Sequence, residues 1–408
     1  FFSSRRRHTR YISVTGVQTC ALPIFASGSN AARFTTGGDL NIASSNGSMF
    51  FTADAGGNLT ATAGDTVIAD VMVGGDALFT GRSLAVSGVV GRDVTARSVD
   101  DLALNSFLSV GRNLDAESSA GSITGLNLSI TGDARLAAFD TVFLGETVVD
   151  GALDAGGNVT ITATNGDIMA DKITANGDLS LTAGGTVGVR QARGNGDVAF
   201  TGSTIRITGA TAGGSLSAVS AGLIQIADSH AGGSIDMNGA SVRLGSVVSD
   251  AGDILLRGMD EVRAFTVTGP GDIALLSSDG VILNLDPANA GRTPTISAGG
   301  ILTLSGRSVT AGQLTAGSDI VLASTAGDIA LIGSAAGRNF LATSTGALTA
   351  SGLLSADGKL DLSAGLIGIQ NADAAFLILD GAGGVSFVDA SARRSVQLTS
   401  ANGAISGG

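Results

Sequence analysis

The sequence predicts an all-β fold, a right-handed parallel β-helix (a solenoid) of about 18–19 coils with a period near 19 residues. Three observations support this prediction. A phrase of glycine, a polar residue and an aliphatic residue returns from Gly37 almost to the last residue. Short runs of alternating apolar and polar residues follow the phrase. The 62 glycines stand beside only 4 prolines, so turns are frequent and rigid breaks are rare.

The repeated phrase is glycine, often doubled, then Asp, Asn or Ser, then Leu, Ile or Val. Clear examples begin at Gly37, Gly56, Gly156, Gly213, Gly232, Gly252 and Gly271. The aliphatic residues lie 19 positions apart from Ile235 to Ile254 and again from Ile254 to Ile273. A fixed period of this length is typical of repeat architectures, in which each unit packs only on its neighbours.

Two intervals are clearly longer than the rest, one from Ile273 to Ile301 and the other from Leu360 to Val385. Repeat arrays take insertions as loops that leave a single coil. We therefore predict loop insertions near 284–298 and 366–384.

Alternation after the phrase predicts the strands. Val159-Thr160-Ile161-Thr162 places apolar side chains on one face and threonines on the other, as in a strand with one buried face. Such runs are too short and too interrupted by glycine to be helices. Two or three strands per coil, stacked about 4.8 Å apart, would give a rod on the order of 90 Å long. Aliphatic residues would stack inward, and glycine would supply positive φ at the turns.

Residues 1–24 do not share this pattern. They hold four arginines, the single Cys (Cys20) and the single Tyr (Tyr11), but no glycine pair. From Ser4-Arg5-Arg6-Arg7-His8 to Cys20-Ala21-Leu22-Pro23-Ile24 the segment resembles the translation of a short-read sequencing adapter. A secretory signal would need a continuous apolar stretch, which Ser, Thr, Gly and Gln interrupt here. We predict that 1–24 is an unstructured artefact and that 25–408 is a single β-helix repeat domain.

The composition excludes several classes of function. Removing the four arginines of 1–24 from the 23 basic residues leaves 19 against 35 acidic residues, a net charge of −16. This sign argues against nucleic-acid binding, which needs clustered Lys and Arg. No apolar run approaches the roughly 20 residues of a membrane-spanning helix. No cysteine follows Cys20, so disulfides and thiolate metal sites are excluded.

The Asp or Asn that follows glycine is the first candidate site. These residues are Asp39, Asn58, Asp93, Asn113, Asn158, Asp178, Asp197, Asp253, Asp272 and Asp319. Stacked carboxylates could bind Ca²⁺, which takes six to eight oxygen ligands. Asp and Asn also accept backbone hydrogen bonds at turns. Ser215 and Ser234 replace the acid without disturbing the period, and the spacing is twice that of calcium-binding β-rolls. We therefore favour the turn role over calcium.

A catalytic role would need charged groups that converge on one face. The candidates are Asp260, Glu261 and Arg263, then Arg190 with Arg193, and Arg393 with Arg394. A glycosidase needs two carboxylates, and a lyase needs cations beside a uronate carboxylate. These groups show no repetition across adjacent coils, and no Trp or Tyr follows residue 24 for stacking on sugars. The sequence therefore predicts no enzyme and no catalytic, cofactor-binding or metal-binding residue.

Two other residue types are interpreted structurally. His230, the one histidine after residue 24, is expected in a solvated loop rather than at a metal. The phenylalanines are expected to stack in the core rather than to contact a ligand. The residues in question are Phe50, Phe51, Phe107, Phe139, Phe143, Phe265, Phe340 and Phe376.

The repeat over 37–408 resembles the shaft of filamentous haemagglutinin-type adhesins and is similar to the passenger domains of autotransporters. The resemblance implies a secreted or cell-surface rod that holds an adhesive region away from a bacterium. It also implies an outer-membrane transporter as partner and a host or neighbouring-cell surface as target. We see no signal peptide or secretion-domain motif and expect an interior fragment of a longer protein. The alternative is a carbohydrate-active β-helix enzyme, a polysaccharide lyase or glycoside hydrolase.

Overall fold

The computed structural model describes residues 31–145, 152–284 and 293–408. The predicted artefact at 1–24 lies outside these residues, as does most of the insertion predicted near 284–298. The described residues form parallel strands stacked coil on coil, with no helix among them. The prediction of an all-β parallel solenoid with a period near 19 residues is confirmed. Its right-handed winding stays a prediction. Within the described ranges, no helix is long and apolar enough to span a membrane.

The chain divides into two compact units, one ending at Arg190 and the other beginning at Gln191. A single domain over 25–408 therefore stays a prediction. The strands up to the boundary are β1 (Ala32–Thr36), β2 (Leu40–Ser44), β3 (Met49–Ala55), β4 (Leu59–Ala63), β5 (Thr66–Val73), β6 (Ala77–Gly81), β7 (Ser83–Val90), β8 (Val94–Ser98), β9 (Leu102–Val110), β10 (Leu114–Ser118), β11 (Ile123–Gly125), β12 (Asn127–Ile130), β13 (Ala134–Ala138), β14 (Val142–Leu144), β15 (Ala152–Ala155), β16 (Val159–Ala163), β17 (Ile168–Ala175), β18 (Leu179–Ala183) and β19 (Thr186–Gly194), which contains the boundary.

The second unit contains several longer strands. They are β20 (Val198–Gly202), β21 (Thr204–Ala212), β22 (Leu216–Ser220), β23 (Leu223–Ala231), β24 (Ile235–Ser249), β25 (Ile254–Gly269), β26 (Ile273–Ser277), β27 (Val281–Asn284), β28 (Thr295–Ala298), β29 (Leu302–Gly306), β30 (Ser308–Ala316), β31 (Ile320–Ser324), β32 (Ile329–Ala336), β33 (Phe340–Ser344), β34 (Ala347–Ala364), β35 (Leu366–Gly381), β36 (Val385–Thr399) and β37 (Ile405–Gly407).

Parallel pairing places equivalent residues of successive coils directly opposite each other, so that they form columns. In the first unit, one column contains Leu40, Leu59, Ala77, Val94, Leu114, Ala134, Val159 and Leu179. In the second unit, the corresponding column contains Val198, Leu216, Ile235, Ile254, Ile273, Leu302, Ile320, Phe340, Leu360, Leu377 and Val396. Eight positions in one unit and eleven in the other make about 19 coils among the described residues.

Alternation along each strand decides which side chains enter the core. In β4, Leu59, Ala61 and Ala63 are buried, whereas the threonines between them point outward. Burying apolar surface contributes about 25 cal/mol per Å². A single coil has nothing to bury that surface against, so stacking on neighbouring coils supplies the core. The predicted inward columns of Leu, Ile and Val are confirmed, with alanine filling many of the remaining inward positions.

Two predictions of coil length need correction. The loop predicted at 366–384 is wrong, because β35 covers Leu366–Gly381 and pairs along its length with both neighbouring strands. The error came from comparing Leu360 with Val385. Val385 lies opposite Ile367 on a different part of the coil, and the true partner of Leu360 is Leu377. Conversely, the coil between Ala134 and its partner Val159 is longer than the period, and the sequence did not predict it.

The glycines of the repeated phrase have a different role from the predicted one. Among the described glycines, positive φ occurs at Gly88, Gly145 and Gly384. Gly177, in the phrase Asn176-Gly177-Asp178, is not one of them. A Cβ atom at Gly177 would instead overlap the side-chain oxygen of Asn158, one coil earlier. Glycine is required there because adjacent coils approach closely, so the prediction based on turn dihedrals is wrong at this position.

Candidate functional site

The Asp and Asn residues after glycine form a column of their own, which we call the turn column. The Oδ1 atom of Asp39 accepts a hydrogen bond from the backbone N–H of Asn58 at 2.7 Å. Asn58 Oδ1 in turn accepts from the N–H of Asp76 at 2.9 Å. The same bond recurs from Asp93, Asn113, Asp133, Asn158, Asp197, Asp253, Asp272, Asp319 and Asn339. The predicted acceptor role is confirmed, but the donor belongs to the next coil rather than to the residue's own turn.

In the turn column the Oδ1 atoms accept backbone hydrogen bonds from the next coil. Neutral Asn alternates with Asp, as in Asp93, Asn113 and Asp133, and each Oδ1 faces an amide one coil away. Within the described ranges, no group of three or more His, Cys, Asp or Glu side chains lies close enough to hold a metal ion.

The predicted Asp260–Glu261–Arg263 cluster is kept only in part, because Glu261 and Arg263 are bonded and Asp260 is not part of the contact. Glu261, whose side chain is only 12% exposed, accepts hydrogen bonds from Nε of Arg263 at 2.9 Å and Nε of Arg243 at 3.0 Å. Asp260 is exposed beside it. The actual assembly is therefore one carboxylate between two guanidinium groups on adjacent coils, and Arg243 was not among the sequence candidates.

The other predicted arginine pairs go to separate partners. Arg190 donates through Nη2 to Asp171 at 2.7 Å, and this hydrogen bond lowers the pKa of the Asp171 carboxyl. Arg393 donates to the backbone carbonyl of Asp357 at 2.9 Å. Arg394 lies over the ring of Phe376, 5.3 Å from its centroid. These are contacts between coils or across the sheet surface, and they do not converge on a substrate position.

The predictions for histidine and phenylalanine are partly wrong. His230 lies on strand β23 rather than in a loop, and its Nε2 is 2.8 Å from an oxygen of Asp250 on the next coil. Phe51 and Phe340 are buried as predicted. Phe50, Phe139, Phe143 and Phe376 are exposed, Phe265 is half-buried, and the side chain of Phe107 lies outside the described part of the chain. Because strand residues alternate in direction, a phenylalanine beside the inward position faces out.

A groove of about 620 Å³ crosses four consecutive coils of the second unit, on strands β21, β23, β24 and β25. One wall carries a column of long polar side chains, which we call the arginine column: Arg206, Gln225, Arg243 and Arg263. Thr208, Ala227, Gly245 and Phe265 follow two residues later, where the pairing between strands skips one position. Buried aliphatic side chains alternate with the column along each strand and anchor it to the core.

The arginine column corrects an expectation from the sequence. Charged groups do repeat across coils here, because the register places Arg206, Arg243 and Arg263 in one line with Gln225 between the first two. The signal was present as arginines spaced by one or two periods. Neighbouring positions in the sequence do not reveal it, because its members lie one or two periods apart.

Comparisons with known proteins assign no family: no protein-family model, no curated protein and no solved structure matches the chain. The class of protein is thus set by strand register alone, as a parallel β-solenoid. Two features of this solenoid bear on function, namely the turn column that joins coil to coil and the groove beside the arginine column.

Proposed function

We propose that this chain is part of the structural shaft of a large secreted or cell-surface bacterial adhesin and that it catalyses no reaction. The observation that supports this proposal is the uniform stacking of coils, each paired with the coils before and after it. Such an array gains length by adding coils without changing its core. The adhesin role, export through an outer-membrane partner and the cell-surface target rest on the resemblance of the repeat.

Polar contacts between coils support the role of a mechanical shaft. The turn column joins the backbones of adjacent coils along each unit. Ion pairs repeat the arrangement on the outer faces, for example between Arg82 and Asp100 at 2.7 Å and between Lys172 and Asp154 at 3.3 Å. Each exposed pair is screened by water and adds little to stability by itself. The turn column and the ion pairs have the same direction, because each of these contacts joins one coil to the next along the stack.

An in-register deletion tests the structural proposal. Phe340 and Leu360 occupy equivalent positions on adjacent coils, so removing 340–359 deletes one whole coil and joins Asn339 to Leu360. We expect this variant to keep β-rich circular dichroism and cooperative unfolding. The matched control removes only 340–349, which shifts the register, and should lose protection in the flanking coils by hydrogen exchange. If both deletions disrupt the fold equally, the coils are not interchangeable structural units.

Location on the cell is tested separately. Antibodies raised against the chain should label intact source cells, or detect the protein in the culture medium, without permeabilisation. Labelling that requires lysis would contradict the secreted or surface role, whatever the deletion experiment shows.

The carbohydrate-active enzyme stays the second candidate, because the groove beside the arginine column is a feature that a plain shaft does not need. Hydrolysis of a glycosidic bond uses a pair of carboxylates. The described residues that line this groove include no Asp or Glu, and the adjacent Glu261 is engaged by two arginines. Incubation with acidic and neutral polysaccharides should therefore release no new reducing ends and no unsaturated product. Either product would favour the enzyme.

A further inference from the structure

We propose that the groove beside the arginine column binds a linear acidic polysaccharide rich in uronate carboxylates. This goes beyond the shaft role and does not depend on it, because the groove lies within the second unit whatever the longer protein does. The chemistry is recognition by guanidinium and amide groups spaced one coil apart.

The spacing of the column suits a polymer rather than a single small anion. Parallel strands place Arg206, Gln225, Arg243 and Arg263 on four successive coils, about 4.8 Å apart at the backbone. The groove therefore runs along the stacking direction, across the strands. An extended chain lying in it would meet one donor side chain at each coil. Arg206, Gln225 and Arg243 are exposed to solvent, and Arg263 is half-buried.

Glu261 holds two arginines of the groove in position to bind an anion. It binds Nε and Nη2 of Arg243 at 3.0 Å and Nε of Arg263 at 2.9 Å, which fixes both guanidinium groups. Their side chains remain 51% and 38% exposed, so further N–H groups face outward. The residues that line the groove include three arginines and no Asp or Glu, so the lining is positively charged on a chain of net charge −12. Arginine N–H groups bind carboxylates in fixed, often bidentate geometry, which makes the wall selective for such groups.

Three observations favour a polysaccharide over other polyanions. An extended peptide would bind by adding a strand, but β23, β24 and β25 already have paired strands on both sides. A nucleic acid would be repelled by the 35 acidic residues of the chain. The affinity of a protein for nucleic acid also depends on many contacts to phosphate groups. The small residues Ala227 and Gly245 leave space along the groove, and Phe265 provides a ring at one end for the apolar face of a sugar.

The test measures binding of a defined oligogalacturonate to the full chain by isothermal titration calorimetry at low ionic strength. We expect saturable binding that weakens with added salt. Arg206→Ala should weaken it by about tenfold or more, since the variant loses a charge-assisted hydrogen bond to a carboxylate. Arg206→Lys should restore part of the loss. The matched control is Arg257→Ala, which removes an arginine paired to Asp236 outside the groove and should bind like the parent chain.

Circular dichroism of each variant should match the parent, because Arg206 is exposed and its removal leaves the core intact. The proposal is overturned by no binding, by equal loss in Arg206→Ala and Arg257→Ala, or by equal affinity for a neutral glucan oligomer. Equal or tighter binding of poly-glutamate or single-stranded DNA overturns the polysaccharide assignment. Cleavage of the oligogalacturonate would contradict the non-catalytic shaft but not the groove as its binding site.

Discussion

Inward-facing and outward-facing side chains of the same strands form columns by the same register, yet they are constrained very differently. The inward column through Leu216, Ile235 and Ile254 holds only apolar residues, because a polar substitute would be buried without a partner. The outward column through Gln225 and Arg243 mixes residue types freely, since water solvates each of them. Inner columns therefore specify the fold, and outer columns are where coils can differ and acquire a function.

The largest difference in stability is expected between replacing a phenylalanine on the inner side of the sheet and replacing one on the outer side. Phe340 is fully buried in the inward column, so Phe340→Ala should cost about 3–5 kcal/mol through lost burial and a cavity. Phe376 is 39% exposed and contacts Arg394, so Phe376→Ala should cost only about 0.5–1 kcal/mol. Hydrogen exchange of β33 and β35 measures each effect locally, because an array of coils need not unfold in one step. Equal loss of protection would contradict the distinction between the two columns.

Substitutions in the turn column should have an effect on stability between those of Phe340→Ala and Phe376→Ala. Gly177→Ala tests this expectation. A Cβ atom there would overlap Asn158 Oδ1, while the nearest backbone atom, the Asn158 nitrogen, lies 3.3 Å away. We expect a loss of about 1–3 kcal/mol, typical of overpacking. Gly38→Ala is the matched control, since Gly38 holds the same place in the phrase and a methyl group added there would have nothing within 4 Å. It should be nearly neutral, and thermal unfolding compares the two variants.

A double-mutant cycle identifies the cause of that loss. Asn158→Ala alone removes the hydrogen bond to the Asp178 N–H, 2.8 Å long, at a cost of about 0.5–1.5 kcal/mol. It also removes the oxygen that obstructs a side chain at position 177. The combined variant should therefore lose less stability than the sum of the two single variants. Additive losses would show that the glycine is needed for its backbone conformation instead.

These comparisons explain what could be predicted from sequence. Period-two alternation and the phrase beginning at Gly37 follow directly from burial and from tight stacking, so the fold class and the period were predictable. The register was less predictable, because an aliphatic residue such as Val385 fits several inward positions. Pairing Val385 with the wrong residue gives a false loop. The partner of the Asp39 side chain was also hidden, because its donor lies a full period away, on Asn58.

The groove was the least predictable feature. The side chains of its arginine column are outward-facing, so no burial pattern marks them, and Gln225 interrupts the arginines. Only after the register aligned Arg243 with Arg263 did the column become visible. In a solenoid, residues that act together are one period apart. Neighbours in the sequence such as Asp260 and Arg263 therefore give no indication of Arg206.

The smallest expected effect is a pH dependence on the outer face. Arg338 Nη2 lies 2.6 Å from Asp319 Oδ2, and this hydrogen bond holds the pKa of Asp319 below its ordinary value. Because the pKa is lower in the folded than in the unfolded chain, the pair stabilises the fold above the unfolded pKa of about 3.9. That contribution disappears as pH falls through the folded pKa. Arg338→Ala should raise the pKa of Asp319 and cost no more than about 1 kcal/mol at neutral pH.

Carboxyl NMR titration measures this pKa, and thermal unfolding across the acidic range measures the stability. Asn339 still donates from its backbone N–H and its Nδ2 to Asp319 Oδ1, at 3.0 and 3.1 Å, so the pKa should return only part of the way. In an Asp319→Asn background, Arg338→Ala should have little effect at any pH, since no carboxylate remains to be stabilised. A titration of Asp319 unchanged by Arg338→Ala would show that the hydrogen bonds from Asn339, rather than the ion pair with Arg338, set its pKa.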